Sequence, residues 1–239
     1  MRGGDESSGA QPDGVILLAG GQGRRLGGVD KAALTVGSRT LLGHALAAAR
    51  GRVIVLVGPP REVPRGVRQT REDPPGGGPA AGVAAGLAAL LPLLPEGLRP
   101  GAEHGAGSSA RATPAVGDRA GVCAVPSVGL LVAVLAVDQP GVTAATLTRL
   151  ARAVPADRRS GAVLISGGRR QYATGVFPAG VLATAVAGRA SWHGAALRAL
   201  IDPLVGAEVP AEGAEALDLD TPADLDRWRG HPPAGDVPP

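Results

Sequence analysis

Asparagine is absent from the 239 residues, and Lys31 is the sole lysine among 24 Lys and Arg side chains. Aromatic residues are nearly missing as well: Tyr172, Phe177, Trp192 and Trp228 are the whole set. The arginines are scattered, with short pairs at Arg24–Arg25, Arg158–Arg159 and Arg169–Arg170. A nucleic-acid surface wants a continuous basic stripe or a platform of stacking rings, so the composition argues against that partner. A single cysteine, Cys123, excludes a disulfide framework and any zinc or iron–sulfur site built on cysteines. It suits a reducing compartment, and a cytoplasmic location is expected. No apolar run approaches the ~20 residues that span a bilayer. The opening MRGGDESSGAQPDG lacks the basic-then-apolar order of a signal peptide. Neither secretion nor a membrane partner is expected.

What is plentiful is small: Gly 38, Pro 22 and a long list of Ala. A core made from Ala, Val and Leu packs by close approach of its elements. Residues 1–13 and 229–239 read as disordered tails, and a Gly/Pro-rich stretch at about 92–128 reads as an insertion within one domain spanning 14–228. The uncharged runs Val15–Ala19, Val53–Val57 and Leu130–Val137 have the character of strands buried on both faces. Helical patterns lie between and after them: Thr40–Arg50 with Thr40 as N-cap, Pro79–Leu91, the stretch from Thr143 to Val154, then 178–187, 191–204 and 221–228. Ala162–Ile165 and Tyr172–Phe177 flank GGRR and predict a hairpin that adds an antiparallel strand. The expected fold is a three-layer α/β/α, Rossmann-like sheet, mostly parallel with an antiparallel strand.

In such sheets ligands gather at the carboxyl ends of the strands. The first strand ends in LAGGQGRRLGGVDK, residues 18–31. Its glycines bring backbone N–H groups close to anionic oxygens, and Arg24, Arg25 and Lys31 add positive charge, a combination suited to a triphosphate. The phosphate-loop pattern GxxxxGK[ST] fails here, because Ala32 follows Lys31. The dinucleotide pattern GxGxxG fails too, since the glycine after Gly21 and Gly23 is Gly27, one place late. Composition alone leaves Lys31 open between a functional residue and a surviving surface lysine.

The stretch closely resembles the signature of the molybdenum cofactor guanylyltransferases: LAGG, a short spacer, R-[ML]-GG-x-DK. Residues 73–82 (DPPGGGPAAG) resemble the family's acid followed by GPLAG, 136–140 (AVDQP) its metal-binding D-x-P turn, and 218–225 (DLDTPADL) its NxNTPEDL ending. The resemblance implies a nucleotidyltransferase of glycosyltransferase-A type, joining GMP from GTP to molybdopterin with Mg²⁺ and releasing pyrophosphate. A molybdopterin-delivering or molybdoenzyme protein is an implied further partner. Arg25 and Lys31 would hold the triphosphate, and Asp138 would bind Mg²⁺, with Asp220 as a second carboxylate. Leu18, Ala19, Gly20, Gly21 and Gly23, together with Asp73, Gly78, Pro79 and Gly82, would line the nucleotide pocket. Arg169, Arg170 and Gln171 would receive the acceptor phosphate.

Each role has a plainer counterpart. Asp138 and Asp220 could be helix caps, Asp73 a turn acid before Pro74, the glycines of 78–82 a device for helix–sheet packing, and Arg169–Arg170 a solvated hairpin tip. His44 is expected to be structural. Asp218 and Asp220 stand where the guanylyltransferases carry Asn, which resembles the DxDTPED ending of the cytidylyltransferases of the same pathway. That enzyme, or a sugar nucleotidyltransferase, is one alternative. A non-catalytic nucleotide-binding or cofactor-chaperone protein is the other.

Overall fold

The computed structural model describes residues 10–20, 30–95 and 129–229. Gly21, Gly23, Arg25 and Cys123 lie outside the described residues, as do 96–128 of the expected insertion and most of both expected tails. The uncharged runs form the parallel centre of the sheet: Gly14–Leu18 (β1), Val53–Val57 (β4) and Leu131–Ala136 (β6). Two further strands precede the first helix as a small hairpin, Thr35–Val36 (β2) and Arg39–Thr40 (β3). The main sheet is completed by Arg68–Thr70 (β5), Gly161–Ser166 (β7), Arg169–Pro178 (β8) and Val205–Pro210 (β9), in the order β5-β4-β1-β6-β8-β7-β9. β8 runs antiparallel to both its neighbours, as the hairpin signal predicts, and every other pairing in this sheet is parallel.

Helices cover both faces. Leu41–Ala48 (α1) and Ala144–Ala153 (α3) bury Ala45, Ala48, Leu147 and Leu150 against Val15, Leu17, Ala133 and Leu135. On the other face Gly78–Leu90 (α2), Ala179–Ala187 (α4) and Leu197–Ile201 (α5) bury Val83, Leu87, Leu182 and Leu200 against Ile16, Val55, Val132 and Val134. Alternating residues of one strand therefore feed two separate cores, which is why these strands carry no polar face. Close approach of small residues shows at Gly86, where an added Cβ would lie 2.5 Å from Cγ2 of Ile16 and 2.9 Å from Cγ2 of Val57. Among the described residues no helix is long and apolar enough to cross a membrane.

Caps fall where side-chain chemistry puts them. Thr40 Oγ1 accepts from Gly43 N at 3.0 Å and starts α1, and Thr143 with Thr146 closes a capping box on α3. Asp13, expected in the leading tail, instead joins the sheet: its N donates to Leu131 O at 2.8 Å and its carboxylate accepts from Leu131 N at 2.8 Å. The expected helix over 191–204 is cut short, with Gly194 at φ 72° and only 197–201 in α-helix. His44 is buried, bonds Val36 O at 2.9 Å and meets the edge of Trp228, a structural role as expected.

The segment after β9 is fastened to α3 by Glu215. This buried carboxylate accepts from Arg149 Nη1 and Nη2, both at 2.9 Å, from Thr146 Oγ1, and from Glu212 N at 2.8 Å. Burial pushes its carboxyl up, but these bonds together hold it below its ordinary value of 4.5. A depressed acid stabilises the fold above the unfolded value and loses that contribution as pH falls through the folded one. Glu215→Gln is expected to cost about 1–3 kcal/mol at neutral pH. In urea titrations its stability should also fall less steeply than that of the wild type below pH 4.5.

Candidate active site

The carboxyl ends of β1, β4 and β6 lie side by side, with Leu18 opposite both Val57 and Ala136. One further bond, Val137 N to Leu18 O at 3.1 Å, carries the pairing past β6 and delivers Asp138 at the rim. Lys31 opens a short 3-10 helix, Lys31–Ala33, capped by Asp30, whose Oδ1 accepts from Ala32 N at 3.1 Å. The chain returns to this place at the far end of the sequence, where Leu219 N donates to Asp138 O at 3.0 Å. Leu219 is buried with Val36, Leu41 and Trp228. In an extended segment its neighbours on either side, Asp218 and Asp220, share the opposite face. The Lys31 ammonium pairs directly with Asp220 Oδ1 and lies 3.7 Å from Asp138 Oδ2.

Three carboxylates thus share one described cation. Burial pushes the Asp138 carboxyl up to about 6, the nearby Asp218 charge pushes the same way, Lys31 opposes it, and Asp220 adds a smaller upward push. Burial raises Asp218 as well, partly offset by a 2.8 Å bond from Gln139 Nε2. Gln139 is itself buried and held by Thr174 Oγ1. Among the described residues such a cluster is short of positive charge. Among the described residues no group of three or more acidic, His or Cys side chains is arranged to enclose a metal ion. Mg²⁺ asks for less: one or two carboxylates, with phosphate oxygens and water for the rest. Asp138 and Asp220, converging on one ammonium at a strand end, fit that donor set.

The capping alternatives do not hold. α3 is capped by Thr143, not Asp138. The helix Pro222–Arg229 (α6) is led by a reciprocal pair, Asp224 N to Thr221 Oγ1 at 3.3 Å and Thr221 N to Asp224 Oδ2 at 2.7 Å. Asp220 contributes only its backbone N–H there, donated to Asp224 Oδ2 at 3.1 Å.

Beside the carboxylates is a cleft of about 270 Å³ between β1, β4 and the start of α2. It gathers Leu18, Gly20, Gly78, Pro79 and Gly82, all expected at a nucleotide pocket, and adds Val57, Pro59, Gly76, Arg71 and Glu72. Gly78 sits at φ 86°, a conformation only glycine takes freely. Gly82 also serves packing, since an added Cβ there would lie 3.3 Å from Cδ2 of Leu18 and 3.6 Å from Cγ1 of Val57. Ala19 presents its carbonyl to Arg61 rather than a face to the cleft. Asp73 lies in a neighbouring cleft of about 300 Å³ with Ala81, Ala84, Trp192 and His193. Glu72, whose Oε1 accepts from Gly76 N at 3.1 Å, lines both clefts, whereas Asp73 lines only the second, and no spacing rule marks which of two adjacent carboxylates reaches which cleft.

Arg169, Arg170 and Gln171 begin β8, which extends beyond the carboxyl end of β6, so they lie at the same edge of the sheet. Arg170 is committed within this corner: Nη1 donates to Asp202 at 2.7 Å and Nε to Glu208 at 2.6 Å, while Tyr172 Oη donates to the same Asp202 at 2.8 Å. Gln171 bonds back to Arg169 O at 3.2 Å, and Arg169 is exposed. Of the three, Arg169 is the side chain for which no partner competes with an acceptor among these bonds.

A lysine among three aspartates, beside a glycine-walled cleft at the carboxyl ends of a mostly parallel sheet, suits a nucleotidyltransferase. The sequence profile of the MobA-like NTP transferase domain family matches residues 15–208, and the chain belongs to that family. The molybdenum cofactor guanylyltransferase of Acidiphilium cryptum (strain JF-5) is 59% identical over 39 residues, which cover 16% of this chain and 20% of that relative. The match thus spans about a fifth of the curated relative's length. Among solved structures, molybdopterin-guanine dinucleotide biosynthesis protein A from Archaeoglobus fulgidus is similar with TM-score 0.57 at 15% identity, covering 90% of this chain and 95% of that one. The 2-C-methyl-D-erythritol 4-phosphate cytidylyltransferase from Thermus thermophilus is similar with TM-score 0.53 at 22% identity, covering 92% and 98%. The non-catalytic alternative is set aside by this membership.

Proposed function

We propose that the protein transfers GMP from GTP to the terminal phosphate of molybdopterin in the cytoplasm, with release of pyrophosphate. An acceptor phosphate oxygen attacks the α-phosphorus, a new P–O bond forms there, and the bond to the bridging oxygen of pyrophosphate breaks. The observation that carries the reading is the placement of Lys31 between Asp138 and Asp220 at the ends of β1 and β6. Two anions must approach one another in this reaction, so neutralisation and alignment supply most of the catalysis. Lys31 would bind phosphate oxygens as a compact cation, with Arg25 as its expected helper. Asp138 and Asp220 would hold Mg²⁺, which when bound offsets charge on the phosphates. The acceptor is already ionised near neutral pH and needs no general base. Arg169 would meet the acceptor at the same edge, where a molybdopterin-delivering or molybdoenzyme protein would also have to dock.

Guanine is favoured by the chemistry of the cleft. Its O6 and N7 accept together from a guanidinium, and its N1–H and 2-amino group donate in parallel to one carboxylate. Arg71 and Glu72, which line the cleft, would supply both partners. The curated relative named above supports the same base. The cytidylyl alternative draws on the paired Asp218 and Asp220, and a chain devoid of asparagine accounts for that pair equally well. Incubation with molybdopterin, Mg²⁺ and each triphosphate in turn, followed by mass analysis, should yield the guanine dinucleotide alone. Product from CTP but not GTP would replace this reading. Glu72→Gln is expected to reduce the GTP-over-CTP preference in kcat/KM by about tenfold, the low end for one hydrogen bond to a charged group.

A further inference from the structure

Arg61, just past β4, is unusually well organised for a residue outside the cluster described above. Its backbone is locked to one side chain, with Gln69 Oε1 accepting from Arg61 N at 3.1 Å and Gln69 Nε2 donating to Arg61 O at 2.9 Å. The Arg61 side chain is 12% exposed and all three of its nitrogens are engaged. Nε donates to Pro59 O at 3.3 Å and Nη2 to Ala19 O at 3.3 Å. Nη1 donates to Asp30 Oδ1 at 3.2 Å and to Oδ2 at 3.0 Å. One planar group therefore spans the end of β1 and the residue that immediately precedes Lys31.

Asp30 is a carboxylate next in sequence to the cation on which the site depends, and its side chain is half exposed. Unpaired, it would repel an incoming polyphosphate and compete for the Lys31 ammonium. In the structure Lys31 turns to Asp138 and Asp220, while Asp30 turns to Arg61. We propose that Arg61 is a positioning residue for nucleotide binding: it sequesters Asp30, so that no further anion joins Asp138 and Asp220 in competing with the triphosphate for Lys31. This rests on the nucleotidyl-transfer reading. A lysine could not do the same work, since it lacks the fork that reaches a carboxylate and a carbonyl together.

The test is GTP binding in the presence of Mg²⁺, measured by titration calorimetry on the full chain and paired with steady-state kinetics. Wild type, Arg61→Ala, Asp30→Asn and the double variant form the cycle. Arg61→Ala should weaken GTP binding by about 10- to 100-fold, the range for losing hydrogen bonds to a charged group. Its KM for GTP should rise by a larger factor than its kcat falls. Adding Asp30→Asn to Arg61→Ala should recover about tenfold of the affinity, because the liberated charge is gone. Asparagine still caps Lys31–Ala33, so the helix start is kept. A tie that served stability alone would not be rescued this way. Wild-type affinity in Arg61→Ala, or a double variant no better than the single one, overturns the proposal. If thermal melts show that Arg61→Ala does not fold, Arg61→Gln is read on the same criteria. A wild type that binds no nucleoside triphosphate would instead overturn the proposed function.

Discussion

Asp138→Asn is expected to lower nucleotidyl transfer by about 10³-fold at saturating GTP and Mg²⁺, with the fold intact. The carboxylate stands at a strand end without a capping task, so its loss would remove the proposed Mg²⁺ ligand and leave the architecture unchanged. Stability offers a second reading of the same variant. A carboxyl raised from 3.8 to about 6 is protonated more tightly in the folded chain. On that group's account the metal-free fold loses stability as pH rises between those two values and recovers none above them. At pH 7 the asparagine variant should therefore melt at the wild-type temperature or above it. Mg²⁺ with GTP should raise the melting temperature of the wild type far more than that of the variant, by mass action on the folded state. Unchanged metal dependence of the rate would remove Asp138 from the site.

Lys31→Arg should reduce turnover by about 10²-fold although charge is conserved, and Lys31→Ala by about 10³-fold. The ammonium lies among Asp138, Asp218 and Asp220, whose mutual repulsion it relieves. A guanidinium is planar and wider, and its fork would engage one carboxylate bidentately at the expense of the second. With alanine the three acids have no described cation between them, so the carboxyl of Asp138 should rise further. Rates within threefold of wild type for Lys31→Arg would show that the lone lysine of the chain is dispensable.

Much of this site was legible in the chain because the relevant residues follow uncharged strands. A carboxylate directly after LLVAVLAV, and a glycine-rich turn directly after VILLA, can only lie at a strand end. Composition added Lys31 as the solitary member of its type. The edges of the sheet were not legible. β5 is Arg68–Thr70, a polar edge strand three residues long, and β9 alternates half-buried and exposed positions and ends in Pro210. Neither needs an apolar run, because each has a neighbour on one side only. Arg61, Arg71 and Glu72 escaped for a different reason. Their roles depend on which way a side chain leaves irregular backbone, and no periodicity encodes that direction. The ion pairs of Arg170 were hidden too, since Asp202 and Glu208 come to it from a distant helix end and strand.

The bond from Leu219 to the Asp138 carbonyl also has a meaning in time. Lys31 and Asp138 are synthesised long before Asp220 leaves the ribosome, so a growing chain can complete its sheet while Lys31 still lacks the last of its partners. Competence to handle a nucleotide is then among the final properties the molecule acquires, and an interrupted chain would carry the architecture of the enzyme without its chemistry.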